Sequence, residues 1–221
     1  MSPKPTLAAV AAAVCWFALA AQLGIALQAA PSTPAGIAQA ALAFLSFFTN
    51  LTNLLVALAL TAWAFGREEI CRLTRPSGAT ALLAYLAVMS AVYAALLRDL
   101  WEPTGLLLLA EVLEHYVIPP IYLAYWLAYV PKSRLRWQHA YAWLLYPAGY
   151  GAFIAVRGAM TGRYPYPFLD AAALGYARVL LNLVPLALLF LVAGLAFIAL
   201  DRVLARRGKS AGRLPAGRRS R

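Results

Sequence analysis

The sequence predicts an all-α polytopic membrane protein with six transmembrane helices and both termini in the cytoplasm. Three observations predict it. Of the 221 residues, 63% are hydrophobic and 12% charged, against roughly 45–50% and 25% in a soluble domain. The apolar residues come in runs of roughly 20, the length of helix that crosses a bilayer core. The basic residues cluster between and after those runs. This composition excludes a disordered chain, a collagen-like chain and an ordinary soluble enzyme. Six spans make residues 1–200 one membrane domain, with no room for a soluble domain beside it.

The spans follow in order. The first, 7–29, comes after Lys4 and is too long for the core of a signal peptide, so it is read as a retained helix. Pro31, Pro34 and Gly36 break the chain before the second span, 39–65. A loop with Arg67, Arg72 and Arg75 leads to the third, 79–97. A short turn at 98–104 leads to the fourth, 105–130. Lys132, Arg134 and Arg136 precede the fifth, 139–156, and a longer loop, 157–176, precedes the sixth, 177–200. The tail, 201–221, holds eight Lys or Arg among Gly, Ser and Pro. It is expected to be disordered and drawn to anionic lipid heads.

With the N-terminus inside, fifteen of the nineteen Lys and Arg lie on the cytoplasmic side. Arg98, Arg157, Arg163 and Arg178 lie on the other. The positive-inside rule therefore sets the orientation, and the net charge of +11 reads as membrane topology. No basic groove with stacking aromatics is legible, so nucleic acid is not an expected partner. Trp101, Tyr164 and Tyr166 are expected near the outer interface and Trp137 near the inner one. The two halves show no convincing repeat, which weakens an inverted-repeat transporter. Cys15 and Cys71 lie at different depths, and no CxxC or Cys/His cluster occurs, so neither a disulfide nor a structural zinc is expected. Two histidines are too few for two bis-histidine haems, and no GxSxG marks a serine elbow.

Polar residues inside a span are costly and so draw attention. In span two, Thr49, Thr52 and Asn53 share one helix face. They suit a reactive centre, and equally interhelical hydrogen bonds. In span four, Glu111, Glu114 and His115 also share a face, and a carboxylate one turn from an imidazole orients it and stabilises its charge. Pro119 and Pro120 deprive the carbonyls of His115 and Tyr116 of their usual donors, which predicts a kink there. Thr49 and His115 each lie about ten residues into spans of the same direction, roughly 15 Å from the helix start. A hydroxyl beside an imidazole is the minimum for base-activated nucleophilic attack. In span six Asn182 is a candidate oxyanion donor, or a helix-contact amide. The loop Tyr164-Pro165-Tyr166-Pro167-Phe168-Leu169-Asp170 is stiff and aromatic. It reads as a lid over an outer opening, or as a loop resting on lipid heads.

Three segments together, Phe47-Phe48-Thr49-Asn50-Leu51, His115-Tyr116-Val117-Ile118-Pro119 and Tyr164 to Asp170, resemble the androgen-induced and androgen-dependent membrane protein family, in a bacterial-looking form. The resemblance covers about residues 7–200 and is concentrated in these segments. It implies a six-span hydrolase of fatty-acid esters of hydroxy fatty acids, using an intramembrane threonine and histidine. The threonine after a Phe-x pair matches Thr49 rather than Thr52. The histidine four residues before a proline matches His115 and Pro119. The aromatic-proline segment matches Tyr166-Pro167-Phe168-Leu169. The animal pattern would put an acidic residue where Thr52 stands, and the flank of His115 is Glu-rich and aromatic. These departures bear on the substrate more than on the nucleophile pair.

The leading expectation is a lipid ester hydrolase of a bacterial inner membrane. Thr49 is its nucleophile and His115 its base. Glu111 and Glu114 support the base, and Asn53 or Asn182 faces the oxyanion. Its partners are membrane lipids and a lipid ester, with no metal or organic cofactor required. The alternative is a small proton-coupled transporter, with Glu111, Glu114 and His115 as a proton relay and Thr49 and Asn53 as a solute site. A non-catalytic membrane scaffold is the third reading.

Overall fold

A computed structural model describes residues 3–69, 71–132 and 135–211. Arg134 and residues 212–221 of the predicted tail lie outside the described residues. Among the described residues every regular element is helical. Four helical stretches among the described residues are long and apolar enough to cross a membrane: Lys4–Gln28, Pro76–Leu97, Gly105–Tyr129 and Tyr176–Arg206. A fifth results if two helices that meet at 81° count as one span.

Helix α1 runs Pro3–Gln28. Thr33 caps α2 (Pro34–Leu45), accepting from the Gly36 N–H, with Pro34 in the first turn. Both are standard helix-start devices. Helix α3 (Phe48–Ala64) follows after Ser46 and Phe47. The predicted second span, 39–65, is therefore two helices with an 81° break, not one rod. The sequence carries no Pro or Gly at this point. Side-chain partners from elsewhere in the fold, described below, satisfy the freed backbone and make the break tolerable. The break also removes the depth argument for Thr49. It is the second residue of α3, and the preceding ten residues run in another direction.

Helix α4 (Pro76–Val92) is the centre of the bundle, buried from Ala79 to Leu86 without interruption. It packs on α3, on α6 (Ile118–Tyr129) and on α10 (Tyr176–Ala211). Polar clasps fix its register. The Trp126 indole N–H donates to Thr80 Oγ1 at 2.8 Å, and Tyr122 Oη donates to the Ala79 carbonyl at 3.2 Å. Tyr85 Oη donates to the Trp143 carbonyl at 2.7 Å. The last turn of this span, Tyr93–Leu97, is π-helical.

The fourth predicted span is α5 (Gly105–Val112), a π-turn at Leu113–Val117, and α6. The expected sharp kink is thus replaced by a π-turn, and Gly105–Tyr129 stays one span. Pro119 and Pro120 offer no N–H to the carbonyls of His115 and Tyr116. The Ile118 N–H reaches back five residues to the Leu113 carbonyl instead. Lys132 follows the end of α6, and its ammonium donates to the Trp126 and Val130 carbonyls and lies 3.7 Å over the Trp126 ring. Burial pulls this ammonium down to about 8.

The predicted fifth span, 139–156, is divided at Leu144 into α7 (Gln138–Trp143) and α8 (Leu145–Thr161). Gly162 closes α8 at φ 67, and the chain turns back so that Tyr164 covers Gly158. A Cβ on Gly158 would lie 2.0 Å from the Tyr164 ring, so only glycine admits this packing. After α9 (Ala171–Leu174), helix α10 takes in residues 201–211, where a disordered tail was expected. Asp201 is buried there, and Arg202 donates to the Leu135 carbonyl and lies 4.5 Å from the Trp137 ring, so these two residues are packed.

Thr80→Val keeps the shape of a buried side chain and strands the Trp126 N–H. Stability in detergent is expected to fall by about 1–3 kcal/mol, read by thermal or denaturant unfolding. An unchanged midpoint would show that this clasp does not hold α4 to α6.

Candidate functional site

The site is built where three backbone irregularities meet: the α2–α3 break and the two π-turns. At the break, Ser46 Oγ donates to the Leu42 carbonyl at 2.6 Å, and Asn50 Nδ2 donates to the Phe44 carbonyl at 2.9 Å. Tyr150 Oη, from α8, donates to the Ser46 carbonyl at 2.7 Å. The Phe48 N–H, free because it begins a helix, donates to Tyr166 Oη at 3.0 Å. Thr49 follows at once, 8% exposed.

Thr49 Oγ1 lies 3.3 Å from His115 Nε2. The other ring nitrogen, Nδ1, lies 3.0 Å from the Glu111 carbonyl oxygen. A carbonyl only accepts, so Nδ1 carries the proton and Nε2 of the neutral ring is an acceptor. The Thr49 hydroxyl therefore donates to Nε2, the geometry of a base poised to take its proton. Glu111 Oε2 lies 3.4 Å from Nδ1, one helical turn back. The Tyr93 ring, from the α4 π-turn, stacks on the imidazole with centroids 3.7 Å apart and planes at 17°. His115 is thus held on its face and at both nitrogens.

Behind the histidine stands a second layer. Gln22 of α1 donates through one amide nitrogen to Glu111 Oε1 at 3.2 Å and to Glu114 Oε2 at 2.9 Å. Glu114 is fully buried, and its other oxygen has no hydrogen-bond partner.

In front of Thr49 lies a cavity of about 460 Å³, walled by α4, α8, α10 and the loop before α9. Among the described residues, no charged side chain lines it. Its polar groups are the hydroxyls of Thr49, Tyr93, Tyr150 and Tyr166. His115 is not in the wall and reaches the cavity through Thr49.

The other predicted residues fall as follows. Thr52 Oγ1 pairs with Tyr146 Oη at 3.2 Å. Asn53 Nδ2 donates to the Thr49 carbonyl at 3.0 Å and lies 3.8 Å from Met89 Sδ. Asn182 Nδ2 donates to the Phe168 carbonyl at 2.9 Å and so anchors the loop. Both amides proposed for an oxyanion donate to the backbone, and neither lines the cavity. Asp170 caps α9, accepting from the N–H groups of Ala172 and Ala173. Tyr166, expected at the outer interface, is instead 8% exposed with its hydroxyl at the α3 start. Phe168 and Leu169 close one wall of the cavity.

Gln22, Asn50, Tyr93 and Tyr150 were not singled out from the sequence. An amide within the first apolar run was the available signal for Gln22. The tyrosines carried none, because a tyrosine in an apolar run reads equally as packing.

No family model, curated protein or solved structure matches the chain. The chemistry of the site is therefore read from its own geometry.

Gln22→Leu leaves two buried carboxyl groups without their shared donor. A stability loss of about 1–3 kcal/mol is expected in detergent unfolding. Unchanged stability would mean that the carboxyl groups find other partners.

Proposed function

We propose that the protein is an intramembrane lipid ester hydrolase with Thr49 as nucleophile and His115 as general base. The observation that carries this reading is the Thr49–His115 pair at 3.3 Å, with the tautomer of His115 set by the Glu111 carbonyl. The Thr49 oxygen attacks the acyl carbonyl while its proton passes to Nε2. The Glu111 carboxylate, at 3.4 Å from Nδ1, stabilises the imidazolium that forms. His115 returns the proton to the departing alcohol, leaving an acyl-threonine. Water, deprotonated by His115, then releases the acid. The mechanism calls for no metal or organic cofactor.

The cavity supports a neutral acyl chain as the group bound beside Thr49. Its size is that of a small-ligand pocket, and its walls are apolar with hydroxyls as their only polar side-chain groups. The resemblance to the androgen-induced and androgen-dependent family supports a fatty-acyl ester. The carrier reading draws on Gln22, Glu111 and Glu114, a buried polar layer with one oxygen unpartnered. That layer lies behind His115 and not in the cavity wall, which favours the hydrolase.

In the same reading the chain crosses a bacterial inner membrane six times. Helices α2 and α3 form a broken second span, α7 and α8 form the fifth, and both termini lie in the cytoplasm. Lys4 pairs with Glu68 at 3.0 Å, so the start of α1 and the loop after α3 share one end of the bundle. The Arg202 contact joins the loop before α7 to the far end of α10. These ends carry most of the Lys and Arg, as cytoplasmic ends do.

A fluorophosphonate probe should label the purified protein in detergent, and Thr49→Ala and His115→Ala should not be labelled. Turnover of a p-nitrophenyl fatty-acyl ester should fall by at least about 10³-fold in Thr49→Ala, with the melting temperature retained. Equal turnover by parent and Thr49→Ala would sink the mechanism. Uptake into vesicles driven by a pH gradient, with no adduct, would favour the carrier.

A further inference from the structure

We infer that Tyr166 is a catalytic residue, the hydroxyl donor to the oxyanion that forms at Thr49; this rests on the hydrolase reading above. Attack by Thr49 leaves a negative charge on the former carbonyl oxygen, in a cavity with no cation in its wall. Such a charge needs donors held in place beforehand. The two candidate amides lie outside the cavity wall, Asn53 donating to the Thr49 carbonyl and Asn182 to the Phe168 carbonyl. The Tyr150 proton is committed to the Ser46 carbonyl.

Tyr166 differs. Its oxygen accepts the N–H of Phe48, the residue before Thr49, at 3.0 Å, and its ring lines the same cavity as Thr49. Thr49 donates its own proton to His115, and Tyr166 Oη, one residue away at the start of α3, carries an O–H able to donate to a group bound beside Thr49. The ring is clamped, stacked on Phe168 with centroids 5.3 Å apart and edge-on to Phe47 at 5.9 Å. Asn182 pins the backbone of that loop. The donor is thus rigid, buried and part of the cavity wall.

The bond from Thr49 Oγ1 to the acyl carbon forms as its proton passes to His115 Nε2. The carbonyl π pair moves onto oxygen, and the Tyr166 O–H donates to that oxyanion. The pair then re-forms the carbonyl, and the ester C–O bond breaks. The alcohol leaves with the His115 proton. Tyr166 stays protonated throughout, and water repeats the sequence on the acyl-threonine.

Tyr166→Phe keeps the ring and removes the donor. With p-nitrophenyl octanoate as substrate, kcat should fall about 10²-fold, with KM held within about threefold. Affinity for octyl trifluoromethyl ketone, which adds to Thr49 and carries the oxyanion, should fall by the same factor as kcat. A kcat within about threefold of the parent, or unchanged ketone affinity, overturns the role. If Tyr166→Phe fails to melt like the parent, replacement by 3-fluorotyrosine at pH 6 keeps the ring and strengthens the donor. Then kcat should change while KM does not, and an unchanged kcat overturns the role. A parent that neither turns over the ester nor accepts the fluorophosphonate fails at Thr49 itself, and that result overturns the hydrolase reading together with this one.

Discussion

The arrangement depends on one constraint: a helix broken inside an apolar bundle must find partners for the backbone groups it frees. The 81° turn between α2 and α3 frees carbonyls on one side and N–H groups on the other. Four side chains answer it. Ser46 and Asn50 satisfy carbonyls of α2, Tyr150 that of Ser46, and Tyr166 the first N–H of α3. An unsatisfied group in such surroundings costs several kcal/mol. The break therefore exists only because α8 and the loop before α9 come to it. The same contacts bring Thr49 into the first turn of a helix, facing a cavity.

The histidine owes its position to a second irregularity. A π-turn carries one more residue than an α-turn and changes the direction of the side chains after it. Two such turns, Leu113–Val117 and Tyr93–Leu97, lie against each other, and His115 of one stacks on Tyr93 of the other. Prolines account for the first by leaving two carbonyls without α-helical donors. The second has no proline in it, and nothing in the local sequence explains it. Both π-turns and the break converge on the Thr49–His115 pair, which puts a large share of the backbone irregularity of the bundle at one point.

Polar side chains in this chain divide by what they hold. One set holds backbone: Thr80, Asn50, Asn182 and Asp170. The other holds the imidazole: Glu111 directly, with Gln22 and Glu114 behind it. Asn53 belongs to the first set, since its amide nitrogen is spent on the Thr49 carbonyl. Thr52, on the same helix face, pairs with Tyr146 and not with the histidine. Helical spacing alone made Thr49, Thr52 and Asn53 equivalent. Their partners on other helices separate them.

Composition and run length by themselves determined that the chain is helical and rich in segments able to cross a membrane. Both follow from runs of about 20 residues, which are local in sequence. The spacing of Glu111, Glu114 and His115 was likewise legible, because a helix repeats every 3.6 residues. Pro119 and Pro120 announced a disturbed turn, although not its π form. The tertiary structure alone decided that α2 and α3 part at an angle. It also decided that Gln22 reaches two carboxyl groups on another helix, and that Tyr166 leaves the surface for the nucleophile. The contacts of Gln22 and Tyr166 join residues 89 to 118 positions apart. Their energy comes from satisfying a buried polar group with whichever neighbour the packing supplies, and no local pattern encodes that neighbour.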